Sequence, residues 1–157
     1  FASVIAIVVV MIFMLIYYGI YGLFANVSLI MNMIFLISVL TIIQATLTLP
    51  GIAGIVLTIG MAVDANVLIF ERIREENLLR KNILESIDQG FKRAVSTIVD
   101  ANLTTFIAAF ALFIFGSGPI KGFSVTLMIG LITSMFTAII ITKYQLILYA
   151  RRNIRNI

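Results

Sequence analysis

Asp64 is the side chain in this sequence best placed to do chemistry. It is the first charged residue in the chain, and it lies inside an apolar stretch that runs from 51 to 70. An ionised carboxylate at the centre of a bilayer costs at least ~2.5–3.5 kcal/mol, so we expect an acid kept there to have a function. A purely structural buried acid is the alternative.

A second acid, Asp100, stands in the same local sequence, because the tetrapeptide V-D-A-N surrounds both Asp64 and Asp100. Counted from the nearest charged segment, each acid lies roughly 10 Å inside the membrane boundary at 1.5 Å per helical residue. Lys143 falls at about 12 Å by the same measure. We therefore predict that two acids and one base from three helices share a layer.

The chemistry that this layer predicts is proton transfer. Burial favours the neutral form of a carboxyl group and a nearby cation favours the charged form, so an acid between the two can load and release a proton. Four polar side chains are predicted to hold water or orient the acids, namely Asn66, Asn102, Thr104 and Thr105. Two alternatives stay open, in which Asp100 caps the fourth helix and Lys143 extends to the lipid headgroups.

The elements that must position these side chains are membrane helices. Hydrophobic residues make up 62% of the 157 residues and charged residues 11%, far from the ~25% charge of a soluble domain. Five apolar stretches reach the roughly 20 residues that a crossing needs. The sequence thus predicts an all-α, polytopic bundle in one transmembrane domain, with helices at approximately 1–24, 28–49, 51–70, 94–115 and 122–148.

The polar residues between and within these helices predict how they pack. Segment 73–93 has an apolar face at helical spacing and is predicted to be an amphipathic helix on the membrane surface. Small residues recur at every fourth position in the third helix, from Gly54 to Asn66, and in the fifth, from Thr126 to Thr142. Such stripes allow close backbone approach, so we expect the fifth helix to pack on the third or the fourth.

Charge distribution predicts the orientation and excludes several functions. The chain has neither Cys nor His, which excludes thiol chemistry, the usual zinc sites and imidazole catalysis; no cofactor is expected. Its basic residues cluster between the third and fourth helices and after the fifth, a topology signal and not a nucleic-acid one. Nine of them then face the cytoplasm, Arg72, Arg74, Arg80, Lys81, Lys92, Arg93, Arg151, Arg152 and Arg155, against Lys121 outside. Five crossings place Phe1 outside.

Four segments resemble the SecD proteins of the SecD/SecF family of protein-export membrane subunits, in the resistance-nodulation-division superfamily. They are GMAVDANVLIFERIREE at 60–76, VDANLTT at 99–105, GSGPIKGFS at 116–124 and TSMFTA at 133–138. Exporters of that superfamily carry a paired V-D-D-A where this chain has Asp64 and Ala65. The sister subunit SecF typically has Asn then Asp there, so the pattern favours SecD.

The resemblance implies a function that spacing alone does not. SecD proteins act with SecF beside the SecY–SecE–SecG channel, after the ATP-driven step of SecA, to help secretory polypeptides leave the bacterial cytoplasm. The acid that matches Asp64 is implicated in proton passage, and no enzyme activity is expected. The family's first helix and large extracytoplasmic domain are missing from this sequence, so we expect a piece of a longer protein. A small-molecule exporter and a non-transporting scaffold are the alternatives.

Overall fold

The computed structural model describes residues 1–79 and 82–154, and helices make up nearly all of this part of the chain. Arg80, Lys81 and Arg155, used above to orient the chain, lie outside the described residues, as does part of segment 73–93. The helices are α1 (Ala2–Tyr18), α2 (Ile20–Ile42), α3 (Leu49–Leu79), α4 (Ile83–Phe115), α5 (Pro119–Phe136), a π-helical segment (Thr137–Thr142) and α6 (Lys143–Ile154). Four spans are long and apolar enough to cross a membrane, while α1 is shorter.

The first reversal of the chain lies at Gly19, not between residues 24 and 28, where the predicted bounds of the first two helices leave the turn. Gly19 has φ 56° and ψ −120°, a conformation open to glycine, and α1 and α2 fold back on each other around it. Asn26, predicted to lie in the turn, instead donates a hydrogen bond from Nδ2 to the Met11 carbonyl across this hairpin, at 3.0 Å. The apolar sequence runs unbroken through Gly19, so hydropathy did not mark the turn.

α3 begins before the predicted position and ends well after it. The Thr48 hydroxyl accepts a hydrogen bond from the Gly51 N–H at 3.1 Å, which caps the first turn and lets Pro50 sit inside it. The helix then continues through Phe70 to Leu79, so it is 31 residues long. α2 correspondingly ends at Ile42 instead of residue 49.

Segment 73–93 is not a separate surface helix. Its first part is the end of α3, and its last part is the start of α4, which Asn82 caps by accepting a hydrogen bond from the Leu84 N–H at 3.1 Å. Glu76, with 2% of its side chain exposed, pairs with Arg93 at 2.9 Å and ties the two extensions together. We call this region, residues 71–79 of α3, 83–93 of α4 and α6, the charged end of the bundle.

The two stripes of small residues pack against each other. α3 and α5 run parallel, with Gly54 beside Thr126 and Thr58 against Gly130. A Cβ atom added to Gly130 would lie 2.2 Å from the Thr58 Cγ2, so no larger residue fits there. The predicted close approach of the fifth helix is confirmed, and the stripe of small residues on the third helix is the surface that it contacts. α4 runs antiparallel to both and also packs on them.

Candidate functional site

Asp64 lies midway along α3 at the edge of a groove between α3 and α4. The groove has a volume of about 200 Å³ and is lined by Met61, Asp64, Ala65 and Leu68 from α3 and by Thr97, Ile98, Ala101, Asn102 and Thr105 from α4. Along α3, Met61 and Leu68 lie about one turn to either side of Asp64. The groove therefore offers Asp64 a space large enough for several waters, since one water occupies roughly 30 Å³ of liquid.

The carboxylate of Asp64 is exposed on the outside of this part of the chain. Within residues 1–79 and 82–154, no side chain forms a hydrogen bond or a salt bridge with it. Ionisable groups at membrane depth face a bundle interior or a water-filled cavity, and they pair with another polar group. This face of α3 is thus suited to packing against another membrane protein.

Two of the predicted supporting side chains, Asn102 and Thr105, share the groove with Asp64. Thr105 donates from Oγ1 to the Ala101 carbonyl at 3.2 Å, which leaves the lone pairs of its oxygen available to water. Asn102 is partly buried and has both a donor and an acceptor. α4 therefore supplies the groove with polar groups that can bind water but cannot titrate.

Asp100 and Thr104 are exposed and do not line the groove. Asp100 is adjacent to Ala101, which lines the groove, but a rotation of 100° per residue turns the Asp100 side chain away. Thr104 donates from Oγ1 to the Asp100 carbonyl at 3.1 Å. The alternative that Asp100 caps the fourth helix is wrong, because α4 begins at Ile83.

Lys143 does not share a layer with the two acids. Its Nζ lies 3.2 Å from Asp88 Oδ1 and 5.8 Å from the centre of the Phe91 ring, at the charged end. Asp88 precedes Asp100 by 12 residues, about 18 Å along α4. The long lysine side chain reaches toward the boundary, as in the alternative kept above, and finds its partner there.

Asn66 lies on the other side of α3 from Asp64, in a buried chain of hydrogen bonds that was not predicted. Thr142 Oγ1, in the π-helical segment, donates to Asn66 Oδ1 at 2.8 Å. Ser28 Oγ lies 2.7 Å from the same hydroxyl. Because one hydroxyl carries one proton, Ser28 must be the donor to Thr142. These hydrogen bonds join α2, α3 and the π-helical segment.

Thr142→Val is expected to destabilise the protein by about 1–3 kcal/mol. The valine side chain has nearly the shape of threonine but lacks its hydroxyl, so two buried polar partners are left unsatisfied. Thermal unfolding of the full-length protein in detergent measures this loss. Thr104→Val, the same change at an exposed position, is the control and should have almost no effect. Equal stability of Thr142→Val and the wild type would contradict the prediction.

The spacing of two polar residues in α2 indicated that this helix faces a polar surface. Ser28 and Asn32 stand four residues apart in α2, and both are 1% exposed. Two buried polar groups on one face of an apolar helix point to a neighbouring polar surface. Ser28 finds a partner there in Thr142, whereas the side-chain amide of Asn32 makes no hydrogen bond within the described residues. In the part of the chain that the structure describes, no cluster of acidic side chains is suited to a metal ion.

Comparison with known proteins identifies the family. The family model for the C-terminal part of the SecD/SecF protein-export membrane proteins matches residues 1–152. The chain belongs to the SecD/SecF family.

Several SecD relatives are similar over most of the chain. The protein translocase subunit SecD of Rickettsia prowazekii is 60% identical over 144 residues, which cover 90% of this chain and 27% of that protein. The SecD subunit of Calditerrivibrio nitroreducens is 50% identical over 157 residues, covering 99% of this chain and 30% of that protein. The chain thus spans less than a third of the length of these SecD relatives.

A solved structure from the SecD/SecF family has the same fold. The crystal structure of SecDF from Thermus thermophilus, described as a translocon-associated membrane protein, superposes with a TM-score of 0.92 at 40% identity. The match covers 96% of this chain and 21% of that one. The five predicted helices therefore form a bundle of the kind found in SecDF, and the chain is a multi-pass membrane protein of the bacterial inner membrane.

Proposed function

We propose that this chain is the membrane-embedded part of a SecD-type subunit that uses the proton motive force to assist export of secretory proteins. Membership of the SecD/SecF family and similarity to proteins named protein translocase subunit SecD support the export role. The exposed, unpaired carboxylate of Asp64 in a groove at membrane depth is the observation that carries the role of protons.

The groove gives Asp64 the two properties that a proton carrier needs. Its volume of about 200 Å³ admits water to the carboxylate, and the polar side chains of α4 in its lining can hold that water beside Asp64. Moving one elementary charge through the membrane potential yields about 2.3 kcal/mol per 100 mV. In this proposal Asp64 loads and releases the proton while Asn102 and Thr105 hold water beside it.

The other predicted site residues take smaller parts in the proposal. Asp100 and Thr104, at the same depth on the outer side of α4, form a second polar position that a neighbouring subunit can reach. Asn66 and Lys143 support the helices through Thr142 and Asp88 and do not carry the proton. The proton relay is therefore centred on Asp64.

Partners and orientation follow from the same proposal. SecF is the partner expected to cover the Asp64 face, and the complete subunit works beside SecY–SecE–SecG, after SecA, on secretory polypeptides. The charged end carries Arg72, Arg74, Lys92, Arg93, Arg151 and Arg152, so the positive-inside rule places it in the cytoplasm. α1 runs away from that end toward its N-terminus, which puts Phe1 outside.

Ala101→Phe tests the groove without changing any polar group. We expect the bulky ring to fill the space next to Asp64 and to abolish the part of export that depends on the proton motive force. The measurement is translocation of a preprotein into inverted membrane vesicles, with and without a proton gradient, in a strain whose only copy is the full-length variant. Leu103→Phe, on the exposed side of α4, is the matched control.

Each competing function predicts a different result, the scaffold in the vesicle assay and the small-molecule exporter in a separate liposome assay. A scaffold predicts the same export with and without the gradient, for the wild type and for Ala101→Phe alike. A small-molecule exporter predicts a substrate-dependent proton flux in liposomes that contain no secretory machinery. Either result would overturn the proposed function.

A further inference from the structure

A second cavity, separate from the Asp64 groove, lies at the charged end between the α1–α2 turn and α3. Its volume is about 320 Å³, within the range of cavities that bind small molecules. Four of its nine lining residues are aromatic and two carry opposite charges, namely Tyr17, Tyr18, Tyr21, Phe70, Glu71 and Arg74; Ile73, Asn77 and Ile83 complete the wall. The role proposed for Asp64 uses none of these residues.

The cavity lies where the apolar part of the helices ends, the level at which lipid headgroups are expected. Glu71 directly follows the apolar residues of α3, and Tyr18 is the last residue of α1. Tyrosine is enriched at this level of a membrane, because its ring is apolar and its hydroxyl is polar. A ligand of the cavity can therefore come from the bilayer.

The walls of the cavity are built to hold a cation. Phe70 lies 5.7 Å from the ring centres of both Tyr18 and Tyr21, which fixes the rings around one space. The Tyr18 hydroxyl donates to Glu71 Oε1 at 3.3 Å and holds the carboxylate in place. Aromatic faces around a negative charge bind ammonium groups.

An anion fits beside that cation. Arg74 lies one helical turn after Glu71 on α3, and its side chain is 73% exposed. Its Nη1 is 3.9 Å from Glu71 Oε1. The guanidinium group of Arg74 has five N–H donors, and a single carboxylate oxygen at this distance cannot satisfy all of them. Guanidinium groups bind phosphate with two parallel hydrogen bonds. The cavity thus presents a negative and a positive group side by side.

We propose that this cavity binds the headgroup of a zwitterionic aminophospholipid such as phosphatidylethanolamine. The primary ammonium group lies against the tyrosine rings and Glu71, and the phosphate contacts Arg74. A primary ammonium donates three hydrogen bonds, which suits the carboxylate and the tyrosine hydroxyls. A trimethylammonium group donates none, so phosphatidylcholine should bind less well.

Native mass spectrometry of the purified full-length subunit tests this proposal. The protein is incubated with phosphatidylethanolamine, phosphatidylglycerol and phosphatidylcholine that have the same acyl chains, at equal concentrations. We expect phosphatidylethanolamine to be bound preferentially, and Glu71→Gln to lower that preference about tenfold, equivalent to about 1.4 kcal/mol. Tyr18→Phe, which keeps the ring, should lower it less.

Glu75→Gln is the matched control, because Glu75 lies one turn from Glu71, pairs with Arg72 and does not line the cavity. It should keep the wild-type preference. Thermal unfolding without added lipid verifies that each variant is folded. Equal binding of the three lipids by the wild type, or equal losses in Glu71→Gln and Glu75→Gln, would overturn the proposal. Competition by soluble phosphoethanolamine as effective as that by the lipid would overturn its assignment to a membrane lipid.

Discussion

Asp64→Asn is expected to reduce export to the level seen when the proton gradient is collapsed. The amide has nearly the same shape as the carboxylate, so the groove and the packing of α3 stay as they are, but no proton can be exchanged. The measurement is the rate of preprotein translocation into inverted vesicles, with the gradient present. Asp64→Glu keeps a titratable group and should retain part of the gradient-dependent rate.

Asp100→Asn is the matched control for Asp64→Asn, because it makes the same chemical change at the same depth outside the groove. We expect it to retain most of the gradient-dependent rate. Full export with Asp64→Asn would refute the proton-carrier role. Equal losses in both variants would instead show that the outer side of α4 belongs to the proton route as much as the groove does.

Gly22→Ala is expected to destabilise the protein by about 3 kcal/mol, at the upper end of the usual effect of overpacking. A Cβ atom at Gly22 would lie 2.0 Å from the carbonyl oxygen of Met14 and 2.6 Å from the carbonyl carbon of the same residue. Both are backbone atoms of α1, so no change of rotamer can relieve the contact. The two helices of the hairpin would have to separate. Thermal unfolding of the full-length protein measures the loss.

Gly60→Ala is the control for Gly22→Ala, since nothing in this part of the chain lies within 4 Å of the added atom. Removing a glycine from a helix interior favours the helix by up to ~1 kcal/mol. We therefore expect its unfolding temperature to equal or exceed that of the wild type. The prediction for Gly22 is wrong if both variants unfold at the same temperature.

Regular spacing made much of the bundle predictable. Residues four apart lie on one face of a helix, so the small residues from Gly54 and from Thr126 had to form stripes, and the structure packs these together. Residues three apart are also neighbours on a helix face, which places Asn102 and Thr105 near each other on α4, where they line one groove with Asp64. Membrane helices are predicted well because lipid leaves the backbone few alternatives.

The predictions that failed depended on features that spacing does not contain. The reversal at Gly19 follows from one glycine conformation in an unbroken apolar run, which hydropathy cannot detect. Lys143 has a flexible side chain, so the depth of its Cα did not determine its partner. Asp100, in contrast, could have been placed, because residues two apart in a helix point in nearly opposite directions. With Asn102 in the groove, Asp100 had to lie outside it.

The parallel packing of α3 on α5 determines which parts of the bundle can move. Thr58 sits against Gly130 with no room for a methyl group, so these two helices form a single rigid body. On its opposite side α3 contacts α4 closely at the charged end, where Gly90 lies against the Ile73 backbone, but a groove separates the two helices beside Asp64. A rearrangement that accompanies protonation of Asp64 should therefore open or close the α3–α4 boundary as a hinge, while the α3–α5 pair moves as one piece.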